Sequence, residues 1–118
     1  MQPRTIIVSL LAAALVLGFG TASAKGTAAA GKTKAAACEA CHGTDGNGIA
    51  PNYPALAGQY QDYLEQVLHE YKDGQRTNAI MNGMASPLSD QDIDDLAAYF
   101  SSLPSKLSDL HGKVNGGD

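Results

Sequence analysis

The chain has no tryptophan, only two phenylalanines and only two cysteines in 118 residues. One phenylalanine, Phe19, lies in the apolar leader, so Phe100 is left as the single large aromatic beside five tyrosines. A domain this small is marginal on surface-to-volume grounds. With alanine and glycine so abundant, much of the apolar volume has to come from something other than side chains. Basic residues are also scarce: eight Lys and Arg against twelve Asp and Glu give a formal charge of −4. That sign disfavours a nucleic-acid or phosphate-binding role. Convincing parallel-strand runs and internal repeats are absent.

The long apolar run is at the start. Arg4 precedes a nearly continuous apolar stretch from Ile6 to Phe19, followed by Ala22-Ser23-Ala24. The order of positive residue, short apolar run and small-x-small site is that of a cleaved secretory signal. The run is too short and wrongly flanked for a membrane span. Residues 1–24 are therefore expected to be removed, leaving one domain over 25–104, a polar tail over 105–118 and no stable membrane insertion. In a bacterium, export would mean the periplasm. Two cysteines there would normally favour a disulfide, but a bridge across two intervening residues would close only a tiny loop.

Both cysteines fall in Cys38-Glu39-Ala40-Cys41-His42. On a helix, positions three and four apart share a face, so both thiols and the imidazole can meet one flat ligand. The spacing is that of c-type haem attachment: each thiol adds to one vinyl group, and the histidine reaches the iron. A buried porphyrin would also supply the missing core volume. A redox dithiol would need a βαβ context. A zinc site would need a fourth ligand, with His69 and His111 the spare histidines.

Helical periodicity fills most of the remainder. A first helix is expected from about Thr27 to the cysteines, with Gly31 inside it marking close approach by another element. Gly43 to Gly48 reads as a loop, extended by Pro51 and Pro54. A second helix from about Gln59 to Lys72 places Tyr60, Tyr63, Leu64, Val67, Leu68 and Tyr71 on one stripe, with His69 on the solvated face and Asp73-Gly74 ending it. Residues 74–88 read as mostly irregular, with a short turn at Asn78–Met81. The last helix starts after Ser89 as N-cap. It buries Ile93, Leu96, Ala97, Phe100 and Leu103, and stops at Pro104. The crowd of Asp90, Asp92, Asp94 and Asp95 favours its N-terminal dipole and solubility.

A proximal histidine leaves one iron position open, and thioether sulfur suits it. Met81 and Met84 are the methionines beyond the initiator, and the loop setting of both makes them the candidates. Arg76 could pair with a haem propionate or simply be exposed.

Several runs together resemble class I cytochrome c, in particular the short bacterial monohaem branch and one half of bacterial di-haem relatives. They are Ala35-Ala36-Ala37-Cys38-Glu39-Ala40-Cys41-His42-Gly43, Asp45-Gly46-Asn47, Ala50-Pro51-Asn52-Tyr53-Pro54-Ala55-Leu56-Ala57-Gly58-Gln59, Lys72-Asp73-Gly74-Gln75-Arg76, Leu88-Ser89-Asp90-Gln91-Asp92-Ile93 and Leu96-Ala97-Ala98-Tyr99-Phe100. The resemblance spans about residues 26–104. It implies a small all-α fold of three to five helices around one covalently bound haem c. It also implies Met81, the first of the Met-x-x-Met pair, as the second iron ligand, and Pro51 as the proline whose carbonyl faces the outer N–H of His42. Gly31 and Tyr99 fit the family's crossing of first and last helices, although the position one turn after the glycine is Ala35 rather than an aromatic.

The function so implied is a periplasmic one-electron carrier, not an enzyme, exchanging electrons with larger redox proteins. The alternatives are an electron-transfer haem subunit of a larger dehydrogenase or oxidase complex, and a gas-binding haem protein. No distal histidine or catalytic acid is evident for the last.

Overall fold

The computed structural model describes residues 25–106. The expected signal segment, His111 and most of the C-terminal tail lie outside the described residues. Five helices and no strands are formed among them: α1 (Ala28–Lys34), α2 (Ala36–His42), α3 (Gln61–Lys72), α4 (Ala79–Ala85) and α5 (Asp90–Ser102). The all-α expectation holds.

The expected first helix is divided at Ala35, which is fully buried. There the ladder tightens: the Ala35 carbonyl accepts from both Cys38 and Glu39 N–H, each at 2.9 Å. A residue small enough to be enclosed completely can sit at this bend. α1 starts on Thr27, whose hydroxyl oxygen accepts from the Ala30 N–H at 3.2 Å. It crosses α5 at Gly31, where a methyl group would overlap the Asp95 carbonyl and crowd the Tyr99 Cβ. Glycine is needed here for backbone approach rather than for its conformational freedom.

Asp95, expected to be one of a solvated acidic group, is buried. It is also fully engaged: Oδ1 accepts from the Thr27 N–H at 2.9 Å and the Gln91 amide at 3.2 Å, and Oδ2 meets Lys34 Nζ at 2.6 Å. Lys34 also reaches Asp92 at 2.7 Å. These bonds hold the carboxyls of Asp92 and Asp95 below the ordinary carboxylate range, with the Lys34 hydrogen bond the largest cause for each. Burial is costly for a charge unless it is paired and hydrogen-bonded, and here the pairing joins the first and last helices. Asp92 also completes the capping box with Ser89 at the start of α5.

The core forms around Ala35, Leu64, Leu96, Ala97, Tyr99 and Phe100, with Cys38, Leu56, Leu68, Leu88 and Leu103 packed against it. α5 is enclosed more fully than a single stripe would give. Ala98 and Tyr99 join Ile93, Leu96, Ala97 and Phe100 in the interior because α1 and α3 both pack on this helix. On α3 the stripe is only partly buried. Leu64 is interior, whereas Tyr60 and Tyr63 at its start are 79% and 45% exposed. His69 is half-buried rather than solvated. Burial, and after it the Glu65 charge, pushes the Asp94 carboxyl above its ordinary value.

α4 departs most from the sequence expectation, being a two-turn helix where mostly irregular chain was expected. Asn78 accounts for it: its side-chain oxygen accepts from the N–H groups of Ile80 and Met81, both at 3.0 Å, satisfying donors that a helix start leaves unpaired.

Candidate functional site

α2 carries Cys38, Cys41 and His42 on two consecutive turns. The thiols are free and half-buried. Burial, and after it the neighbouring Glu39 charge, pushes the Cys38 thiol above its ordinary range. His42 is 6% exposed. Its Nδ1 lies 2.7 Å from the carbonyl oxygen of Pro54. A carbonyl only accepts, so this contact requires the proton on Nδ1 and leaves the Nε2 lone pair for a metal.

The carbonyl expected from Pro51 is thus supplied by Pro54. The reason lies in the intervening loop. Its backbone folds back on α2, with Gly48 N–H on the His42 carbonyl at 2.7 Å and Ile49 N–H on the Cys41 carbonyl at 3.3 Å. Pro51 falls in an exposed turn closed by Tyr53 N–H on the Ala50 carbonyl at 3.0 Å, and the chain turns inward only after it. Gly43 and Gly48 take φ of 84° and 79° on either side of the first turn, conformations that favour glycine.

The same loop is fastened to the end of α5. Leu56 and Ala57 N–H both reach the Gly46 carbonyl, at 2.7 and 2.9 Å, and Gly58 N–H reaches the Phe100 carbonyl at 3.0 Å. Asn47 donates to the Pro104 carbonyl at 3.2 Å and accepts from the Lys106 N–H at 2.9 Å. A further tie starts inside the motif itself: the Tyr99 hydroxyl donates to Glu39 Oε1 at 2.9 Å. Sequence reasoning placed Tyr99 at the helix crossing but missed this partner.

Met81 lies near His42 and is half-buried; Met84 is 37% exposed. Arg76 is engaged locally rather than left over for a propionate. Its guanidinium stands 5.4 Å over the Tyr71 ring, with Nε donating to the Tyr71 hydroxyl at 3.2 Å and an ion pair to Glu70 at 3.7 Å. A surface cleft of about 560 Å³ at the start of α3 is lined by Gln59, Tyr60, Asp62, Tyr63 and Gln66, and by none of the attachment residues.

With this geometry the comparisons agree. The cytochrome c family model matches residues 28–104. The chain belongs to the cytochrome c family. It is 56% identical over 98 residues to cytochrome c4 of Pseudomonas aeruginosa, covering 82% of this chain and 47% of that protein. It is likewise 56% identical over 80 residues to cytochrome c-554(548) of Halomonas halodenitrificans, covering 65% of this chain and 96% of that one. The crystal structure of reduced recombinant cytochrome c4 from Pseudomonas stutzeri superposes with a TM-score of 0.66 at 48% identity, over 70% of this chain and 48% of that chain. The chain spans about half the length of the cytochromes c4 it matches, which are class I di-haem proteins.

A cytochrome c domain carries a covalently bound haem c with its iron, and Cys38 and Cys41 fit the attachment motif. The donor set suits that group. Two thiols share one short helix with an imidazole whose outer nitrogen is already spent on a carbonyl. Large apolar side chains are exposed in the loop after the helix of His42 and in the helix of Met81, Ile49 at 63% and Ile80 at 62%.

Proposed function

We propose that this cytochrome c is a periplasmic one-electron carrier in which His42 and Met81 are the two axial ligands of the haem iron. Haem c supplies a centre that takes up and releases one electron; the chain holds it and sets its potential. Cys38 and Cys41 anchor it by thioether bonds. His42 ligates through Nε2 while Pro54 fixes the ring plane and raises the basicity of the imidazole. Met81 would supply the second ligand, and a Met/His pair raises the potential and leaves no open iron position for substrate. The protein is on this reading no enzyme, and its partners are larger redox proteins that donate and accept electrons.

The observation that carries the proposal is the 2.7 Å contact of His42 Nδ1 with the Pro54 carbonyl, which presets the tautomer that iron ligation needs. Residues 1–24 act as a cleaved export signal, 25–104 form the haem domain and 105–118 a tail. No helix among the described residues is long and apolar enough to cross a membrane.

Spectroelectrochemical titration of the holoprotein tests the function. A reversible one-electron wave, with no carbon monoxide bound to the reduced protein at neutral pH, is expected. Rapid carbon monoxide binding would favour a gas-binding protein instead.

A further inference from the structure

Polar side chains on both sides of Met81 hold the backbone around it. Ala85 is the buried residue of α4; Ile80 is 62% and Met84 37% exposed. Within the chain itself α4 therefore buries little apolar surface. The residue next to Met81, by contrast, uses nearly all of its hydrogen-bonding capacity. Asn82 Nδ2 donates to the Tyr71 carbonyl at 2.6 Å and to the Arg76 carbonyl at 2.8 Å, while its Oδ1 accepts from the Asn78 N–H at 2.8 Å. Both amide donors and one acceptor lone pair are satisfied.

The three partners lie in different places: the last turn of α3, the following loop and the N-cap of α4. Asn78 reciprocates, accepting the Met81 N–H on its side chain at 3.0 Å and the Asn82 N–H on its backbone carbonyl at 2.8 Å. Met81 thus sits between two asparagines that clasp each other, and Asn82 ties that clasp to α3 through the Tyr71 carbonyl.

We propose that Asn82 is a positioning residue for the axial methionine, its side chain tying the Met81 backbone to the end of α3 so that the thioether is held in place against competing ligands. The inference rests on Met81 as an iron ligand. Loss of the tether leaves the sulfur attached to a mobile turn, so an external ligand competes better for its place.

The test is titration of the oxidised holoprotein with imidazole, followed by the sulfur-to-iron absorption band. Asn82→Ala should raise the apparent imidazole affinity by roughly tenfold or more, the scale of one or two lost hydrogen bonds. Ser89→Ala, which removes the α5 cap and costs comparable stability, should stay within about twofold of wild type. Asn82→Asp keeps the acceptor for Asn78 but loses both donors, and serves if the alanine variant does not assemble; it too should bind imidazole more tightly. Wild-type imidazole affinity in the Asn82 variants, or an equal rise in Ser89→Ala, overturns the proposal. Met81→Ala separates the two layers: a retained sulfur band overturns the ligand assignment and the positioning role with it, whereas a lost band together with wild-type imidazole affinity in the Asn82 variants overturns the positioning role alone.

Discussion

Pro54 and Met81 show how differently single residues disclose their roles. The attachment set of Cys38, Cys41 and His42 is legible because three functional groups fall within five positions and cannot move relative to one another. The proline facing His42 is not, since two prolines three positions apart serve equally well until the backbone of the loop is known. The hydrogen bonds of Gly48 and Ile49 back to α2 decide it for Pro54. For the same reason the sequence assigns no role to Glu39, whose carboxylate accepts from the Tyr99 hydroxyl sixty residues away. At this scale Cys38→Ala and Cys41→Ala should each leave a single thioether. Denaturing electrophoresis stained for haem should then show reduced covalent retention, and thermal unfolding a lower midpoint. Full haem content and stability in either variant would remove the attachment role. With Met81 as the proposed ligand, Met84→Ala should keep the wild-type visible spectrum; loss of the sulfur band in this variant would transfer the ligand role to Met84.

Between elements, the crossing of α1 and α5 is the joint that brings the attachment helix to the core. Gly31 offers no room for a side chain against the Asp95 carbonyl, so Gly31→Ala must push the helices apart. A loss of about 1–3 kcal/mol is expected from such overpacking, read by chemical denaturation of the holoprotein; an unchanged midpoint would mean the crossing is looser than described. The Lys34, Asp92 and Asp95 cluster makes the joint pH-dependent. The two carboxyls titrate lower when folded than when unfolded. Their contribution is therefore complete above the unfolded carboxylate value of about 3.9 and is lost as pH falls further. Lys34, raised by the same bonds, contributes below its unfolded value of about 10.4, and that contribution disappears as pH rises through its folded value. Lys34→Met should lower the melting temperature at neutral pH and flatten its fall as pH drops below about 4. An acid limb as steep as that of the wild type would contradict this assignment.

The element scale also explains what the sequence concealed. Periodicity located α3 and α5 because long amphipathic stripes carry that signal. It overlooked α4, whose seven residues hold exposed Ile80, Gly83 and Met84 and are organised by Asn78 and Asn82 instead. Side-chain capping of this kind is written in two residues, too few for a periodic pattern. The acidic group at the start of α5 was misjudged in the opposite direction. Helix position predicts dipole stabilisation for all four aspartates, and only the packing of α1 singles out Asp95 for burial.

For the whole molecule, a scarcity of large side chains, a short domain and a haem motif all follow from one design, in which a prosthetic group supplies the volume that the chain lacks. Exported protein recovered with its haem should have an N-terminus at Lys25 by mass spectrometry; an intact leader ahead of residue 25 would indicate an anchored form. The central claim is that His42 and Met81 close both axial positions of a covalently held haem. It is tested most directly by the absorption spectra of the purified protein in its oxidised and reduced states. A low-spin six-coordinate haem in both states, with a sulfur-to-iron band in the oxidised protein that vanishes in Met81→Ala while the haem stays attached, is the predicted result. A high-spin spectrum in the wild type, or a sulfur band that survives in Met81→Ala, would contradict it.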